Sequence, residues 1–393
     1  ISCFVKLAEE GRQAMSQAVS HFKTLCCLGL PRRAALIAIA SAIRDVVPAD
    51  WTRIGLNDAQ GTPTIGFGEH PDFLPLFLKS FDDFLDDPTS LYVNYRENFR
   101  SGRIGATLPM QNGAYLSSRY YREFERPLDS CWLLEAALFD GPRPVGAMAL
   151  SRPRSARTFN GADIEKLDAL RPWIAHALIE RPEASDPDGS DAAGSRELSA
   201  ARPIRRSMVI LDRNCRILFL TSGAETLFYF LDGTGEDWRK RLKRRQEVPA
   251  AIHQLVRVLI ATARGERTRT PRSVAVTPWG VMIAEASWLA QPCDPPESVA
   301  ADPESVPIVV HLELRENATA YAARVLRKHG ASPAQVHVGA LLAIGRSKPE
   351  IARRLGVRPS SVADATRKLY QRIDVRNATE LGTKLWLADL EAG

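Results

Sequence analysis

Cysteine is scarce and unpatterned in this chain: six residues, at 3, 26, 27, 131, 215 and 293, show neither metal-ligand spacing nor a paired framework. That excludes a disulfide scaffold and a structural zinc site, and it fits a reducing, cytoplasmic setting. Seven histidines at 21, 70, 176, 253, 311, 329 and 337 are too scattered for a zinc motif. No Gly-rich loop ends in Lys-Ser or Lys-Thr, and no Gly-x-Ser-x-Gly elbow occurs, so phosphate-loop and hydrolase chemistry have no seat. Neither an enzyme nor a bound cofactor or metal is expected. Long apolar runs are missing too: nothing approaches the ~20 residues of a membrane span. The start lacks the basic, apolar, small-residue order of a signal peptide, and no membrane partner is expected.

What is present is a chain of 393 residues, 45% apolar and 25% charged, with a net charge of +6. That length accommodates two or three domains, each with its own core, and the mild basic excess permits a nucleic-acid partner without demanding one. Part of the excess sits in Arg239-Lys240-Arg241-Leu242-Lys243-Arg244-Arg245. Residues 182–203 are polar, Pro/Gly/Ser-rich and free of aromatics, the composition of a linker. Gln291 to Pro307 is also proline-rich, but strand-like runs flank it, so it reads as a long hairpin loop within a domain.

Residues 1–181 begin with helical signals at Gln13–Leu25 and Arg33–Val46, broken at Gly29-Leu30-Pro31. Strand signals follow at Thr52–Leu56, Cys131–Phe139 and Val145–Ser151, with Asp140-Gly141-Pro142 turning the last two. Asn160-Gly161-Ala162-Asp163 then opens a helix on which Ile164, Leu167, Leu170, Ile174 and Leu178 recur at helical spacing. Helices on an antiparallel sheet are expected. The Gly146–Arg152 strand, Phe159 and Leu167 to Pro172 resemble the end of a GAF-like sensor domain. The resemblance implies a small-molecule pocket, for which Phe67, Tyr92, Tyr95, Phe99, Tyr115 and Trp132 are the candidate lining.

Residues 204–315 open with Met208-Val209-Ile210-Leu211, a turn at Asp212-Arg213-Asn214, and Ile217-Leu218-Phe219-Leu220. Ser222 with Glu225 has capping-box spacing. An amphipathic helix carries Ile252, Leu255, Val256, Leu259 and Ile260; strands Val274–Val276, Val281–Leu289 and Ile308–Leu314 follow. Two strands, helices, then three strands is similar to a PAS-like domain. Asn214-Cys215-Arg216 echoes a flavin-sensing cysteine motif, but it falls in a hairpin turn rather than on a later helix, so no photochemistry is expected.

Residues 316–330 read as a connecting helix, and 331–393 as a run of capped helices. Ser332-Pro333-Ala334-Gln335 and Ser347-Lys348-Pro349-Glu350 are both capping boxes with Pro at the first helical position. Gly356 supplies the left-handed stop after Ile351-Ala352-Arg353-Arg354-Leu355. The chain restarts at Pro359 as a longer basic helix to Ile373, and a fourth helix opens at Asn377 with Glu380 at the third position. In the long helix Val362, Leu369 and Ile373 face the core, leaving Ser360, Ser361, Asp364, Arg367, Lys368 and Arg372 outside. Between Ala331 and Gly393, ten Lys and Arg against six Asp and Glu leave +4.

Pro349 to Val357, Ser361-Val362, and Ile373-Asp374-Val375-Arg376-Asn377-Ala378-Thr379-Glu380-Leu381 together resemble the LuxR/GerE-type DNA-binding domain. That likeness implies an all-α four-helix module in which the helix from Pro359 reads the major groove. Lys348, Arg358, Ser360, Ser361, Asp364, Thr366, Arg367, Lys368 and Arg372 are the expected DNA-facing residues. Leu381, Leu385 and Trp386, on the fourth helix, are the expected dimerisation stripe. The chain departs from the family pattern at Arg358, where Ser or Thr usually caps, and at Ala363 and Ala365, which flank an acidic Asp364. The whole chain then reads as an α+β multidomain regulator of transcription. Double-stranded DNA, RNA polymerase, a small-molecule effector and a second copy are its expected partners. A signalling adaptor whose helix-turn-helix binds protein is the opposing reading.

Overall fold

The structure is a computed structural model describing residues 2–58, 63–84, 106–107, 113–179, 203–221, 223–231, 247–266, 270–289 and 306–387. It is an α+β protein built around two five-stranded antiparallel sheets. By contact the chain divides into two compact units. One gathers Ile1–His70, Ser80–Ala201 and Asn317–Gly393; the other gathers Pro71–Lys79 and Arg202–Glu316.

In the first unit α1 (Ser2–Cys26) turns at Gly29, φ +65°, into α2 (Arg32–Ile43). Strands β1 (Trp51–Asn57) and β2 (Pro63–Gly68) precede α3 (Phe73–Phe84), β3 (Ala106–Thr107) and α4 (Gly113–Ser117). A π-helical turn, Tyr121–Glu125, then leads to the hairpin β4 (Trp132–Asp140) and β5 (Arg143–Arg152), and to α5 (Gly161–Leu178). The strand order is β2-β1-β5-β4-β3. Strand alternation gives this sheet two unlike faces. Ile54, Leu56, Leu134, Leu138, Met148 and Leu150 are all buried on one. Arg152 shares that parity and reaches Asp163 in the first turn of α5 at 3.3 Å, so α5 lies on this side. Asn160 caps α5 with a reciprocal Asn160–Asp163 box, as its sequence signature requires. Arg53 is on the opposite face, where it meets Glu125 of the π-helical turn.

In the second unit, β6 (Pro203–Leu211) and β7 (Ile217–Leu220) precede α6 (Ala224–Leu231) and α7 (Ala250–Ala263). Strands β8 (Arg272–Thr277), β9 (Gly280–Trp288) and β10 (Ile308–Arg315) complete a sheet ordered β7-β6-β10-β9-β8. Thus β9 and β10 pair antiparallel across the proline-rich segment. On α7 Ile252, Leu255, Val256 and Leu259 are buried, the face that the sequence periodicity selects. Trp279 is fully buried, its ring 4.3 Å from that of Phe230 and 5.8 Å from that of Tyr229. Cys215 occupies the β6–β7 turn with φ +60° and a buried thiol. Ser222 and the basic run at 239–245 lie outside the described residues.

The C-terminal segment supplies α8 (Ala318–Lys328), α9 (Pro333–Ala343), α10 (Lys348–Leu355), α11 (Pro359–Ile373) and α12 (Ala378–Leu387). The helix expected to connect domains, α8, is itself core: Ala320, Tyr321, Ala322, Ala323, Val325 and Leu326 are all buried. It belongs to a cluster with Val336, Leu341, Ile351, Val362, Leu369, Leu381 and Leu385, which Leu25, Leu28 and Ala38 of α1, α2 and their turn join. Small residues on α8 and α9 allow close packing. A Cβ on Gly339 would sit 2.5 Å from Leu369 and 2.8 Å from Leu326.

Candidate nucleic-acid interface

The element expected to read DNA comprises α10, a three-residue turn and α11. Ser347 accepts from the Glu350 amide at 3.4 Å, and Glu350 accepts from the Ser347 amide at 2.8 Å, so the start of α10 is satisfied in both directions. The two bonds from Ser347 hold the Glu350 carboxyl below the usual carboxylate range. At the other end Gly356 takes φ +65°, and the Val357 amide donates back to the Ala352 carbonyl at 3.0 Å. Arg358 then begins α11 with extended backbone and no side-chain cap. Pro359 follows at the first helical position, where its missing N–H is no loss.

Two stripes divide α11. Val362, Thr366, Leu369 and Ile373 are buried, whereas Ser360, Ser361, Asp364, Arg367, Lys368 and Arg372 are exposed. The exposed stripe runs the length of a 15-residue helix, about 22 Å at 1.5 Å per residue, and a B-form major groove about 12 Å wide admits an α-helix. Lys348 and Arg358 are exposed beside it. One expected DNA-facing residue is misplaced: Thr366 is buried, its hydroxyl donating to the Val362 carbonyl at 2.7 Å. Threonine in a helix interior often bonds back one turn in this way.

Asp364 is the electrostatic pivot of the stripe. Its carboxylate accepts from Arg367 at 2.8 Å and from Lys368 at 2.7 Å, one helical turn away on the same face. Those two bonds hold the Asp364 carboxyl below its usual range. The face therefore presents two of its three cations, Arg367 and Lys368, already tethered.

The expected dimerisation stripe is spent on the chain's own core. Leu381 and Leu385 are fully buried and Trp386 nearly so. Tyr321 of α8 stacks on Trp386 with ring centroids 5.2 Å apart and donates to the Leu385 carbonyl at 3.1 Å. An apolar stripe in sequence does not name its partner, and α8 claims this one.

No family model matches the chain, and no curated protein matches it. Among solved structures, a crystal structure of Escherichia coli SdiA aligns over 86% of this chain and 83% of its own. The identity is 11% and the TM-score 0.25.

The expected ligand pocket is split by the sheet. Phe67 pairs with Ile54, and Trp132 shares the parity of Leu134, so both belong to the α5 side. Tyr115 lies on the other side, near Arg53, Glu125, Glu135 and Cys131; burial, first of all, pushes its phenol up. Tyr92, Tyr95 and Phe99 lie outside the described residues. Sequence reasoning missed the polar cluster on that side. Both terminal nitrogens of Arg53 donate to Glu125, each at 2.8 Å, and one also donates to Ser130 at 3.0 Å. Tyr120 donates to Glu125 at 2.7 Å. Arg53 stands within the strand-like run Thr52–Leu56, and a charge inside such a run was the available signal. Its partner, 72 residues away, had none.

Among the described residues no group of His, Cys, Asp and Glu could hold a metal ion, and no helix is long and apolar enough to cross a membrane.

Proposed function

We propose that this chain is a sequence-specific DNA-binding regulator of transcription of the LuxR type, in which α11 enters the major groove of double-stranded DNA. The observation that carries the reading is the reciprocal cap on α10, the Gly356 turn and the continuous exposed stripe from Ser360 to Arg372. Two helices joined by a tight glycine turn, the second polar and basic outward, are what groove docking needs. Arg367, Lys368 and Arg372 supply phosphate and base-edge contacts, and Lys348 and Arg358 flank them. The protein acts as a homodimer on a two-fold site, using a surface other than the buried Leu381, Leu385 and Trp386. It carries no catalytic activity, and a small molecule bound in the GAF-like N-terminal portion sets the affinity of the reader, with RNA polymerase as the downstream partner.

Selection of the purified full chain on a randomised duplex library, at two salt concentrations, tests this. A two-fold motif that Arg367→Ala/Lys368→Ala fails to enrich is the expected result. The tethering of Arg367 and Lys368 by Asp364 favours a second reading, an adaptor whose helix-turn-helix binds protein. It gains if no sequence is enriched at either salt.

A further inference from the structure

The polar side of the first sheet has the makings of a binding site for a ligand, and this inference rests on the reading that a small molecule controls the protein. Pairing places Arg53 opposite Ala149 and Glu135 opposite the same Ala149, so two ionisable side chains flank one methyl group across three strands. The next row along is Gly55, Ala147 and Ala137. On the α5 side the corresponding positions of the central strand, Met148 and Leu150, are sealed. On the polar side Gly55, Ala147, Ala149 and Glu135 all keep partial solvent access despite their place in the middle of the sheet. Large side chains cover the α5 face, whereas Gly55, Ala147 and Ala149 stand between Arg53 and Glu135 on the other.

The charges on this side do not all pair among themselves. Arg53 and Glu125 satisfy each other, with Ser130 and Tyr120 completing the set. No hydrogen bond joins the Glu135 carboxyl to any of the described residues, and Tyr115 is a further ionisable neighbour. Tyr115, which interacts electrostatically with Glu135, is 6.5 Å from Tyr120, which stacks on Phe124 at 5.5 Å.

We propose that Glu135 anchors an organic cation, a primary ammonium on a short apolar tail that lies over Gly55, Ala147 and Ala149. Among the described residues the Glu135 carboxyl has Arg53 as an electrostatic neighbour but no hydrogen-bonded partner, and an ionised carboxylate withdrawn from water is stabilised by a paired cation. Alone, the carboxyl is pushed up to about 8, by burial first and by Glu125, with Arg53 pulling it back. Uptake of an ammonium below that pH therefore displaces the carboxyl proton to solvent as the ion pair forms, and apparent affinity rises about tenfold from pH 6 to pH 7.

Alkylammonium chlorides from methyl to hexyl, each against the neutral alcohol of equal length, test this on the full chain by thermal melting and by calorimetry in two buffers of different ionisation enthalpy. At least one ammonium should raise the melting temperature and release about one proton at pH 7, with its alcohol inert. Glu135→Gln should remove the preference while the fold persists. Ala149→Leu, which fills the floor and keeps the carboxyl, should block binding. Equal binding of the alcohols, proton release that survives Glu135→Gln, or no binding across the series would overturn the assignment. None of these readouts involves DNA, so they stand or fall apart from the duplex selection.

Discussion

Glu135 makes a signed prediction about stability. Its carboxyl titrates near 8 when folded and near the ordinary carboxylate value of about 4.3 when unfolded. Between those values the folded state holds the extra proton, so stability falls as pH rises through the window. Glu135→Gln should match the wild type at pH 4 and melt progressively higher than it towards pH 9. Arg53 carries the opposite lesson. Because Glu125 is fully buried, Arg53→Ala strands a charge, and chemical denaturation should show a loss of about 3–5 kcal/mol. Neither role was legible in sequence. Arg53 and Glu135 lie in strands that the apolar pattern locates, but which face each occupies, and what crosses the sheet to meet it, depends on pairing register. Register is a long-range property that composition does not encode.

At the scale of elements the sequence spoke clearly, because capping is local chemistry. Ser332, Ser347 and Asn160 each form the box their spacing announces, and Gly356 takes the positive φ its place demands. The buried and exposed stripes of α11 follow from helical period, except at Thr366, whose small polar side chain fits either side of a helix. Arg358 leaves α11 without a side-chain cap, so Arg358→Ser should raise thermal stability by roughly 1 kcal/mol. Asp364→Ala should free Arg367 and Lys368. Nonspecific duplex binding should then tighten, and the logarithm of affinity should fall more steeply with the logarithm of salt. If the slope does not change, the ion pairs at Asp364 are not what restrains the face.

In the whole molecule, the surprise is where the N-terminal helices go. The Gly29 carbonyl accepts from Arg354 of α10 at 2.8 Å, the Thr24 carbonyl accepts from His337 of α9 at 3.0 Å, and Asp45 pairs with Arg327 of α8 at 3.3 Å. His21, beneath that pair, is lowered to about 4, by burial first and then by Arg327, with Asp45 opposing. Its unfolded form takes up a proton near 6.5, so stability is lost as pH falls from there to about 4. Denaturant unfolding between pH 7 and pH 4 should show this slope, and His21→Gln should flatten it. Sequence divided the chain at its linkers, as composition invites, and gave α8 to a connection. The apolar face of α8 was visible, but not that α1 and α2 share its core. The arrangement also has a consequence for synthesis. Leu25 and Leu28 leave the ribosome long before Val362 and Leu385 exist to cover them. At usual elongation rates that wait is roughly fifteen seconds to a minute, during which the nascent chain shows an apolar surface that chaperones bind and the finished protein hides.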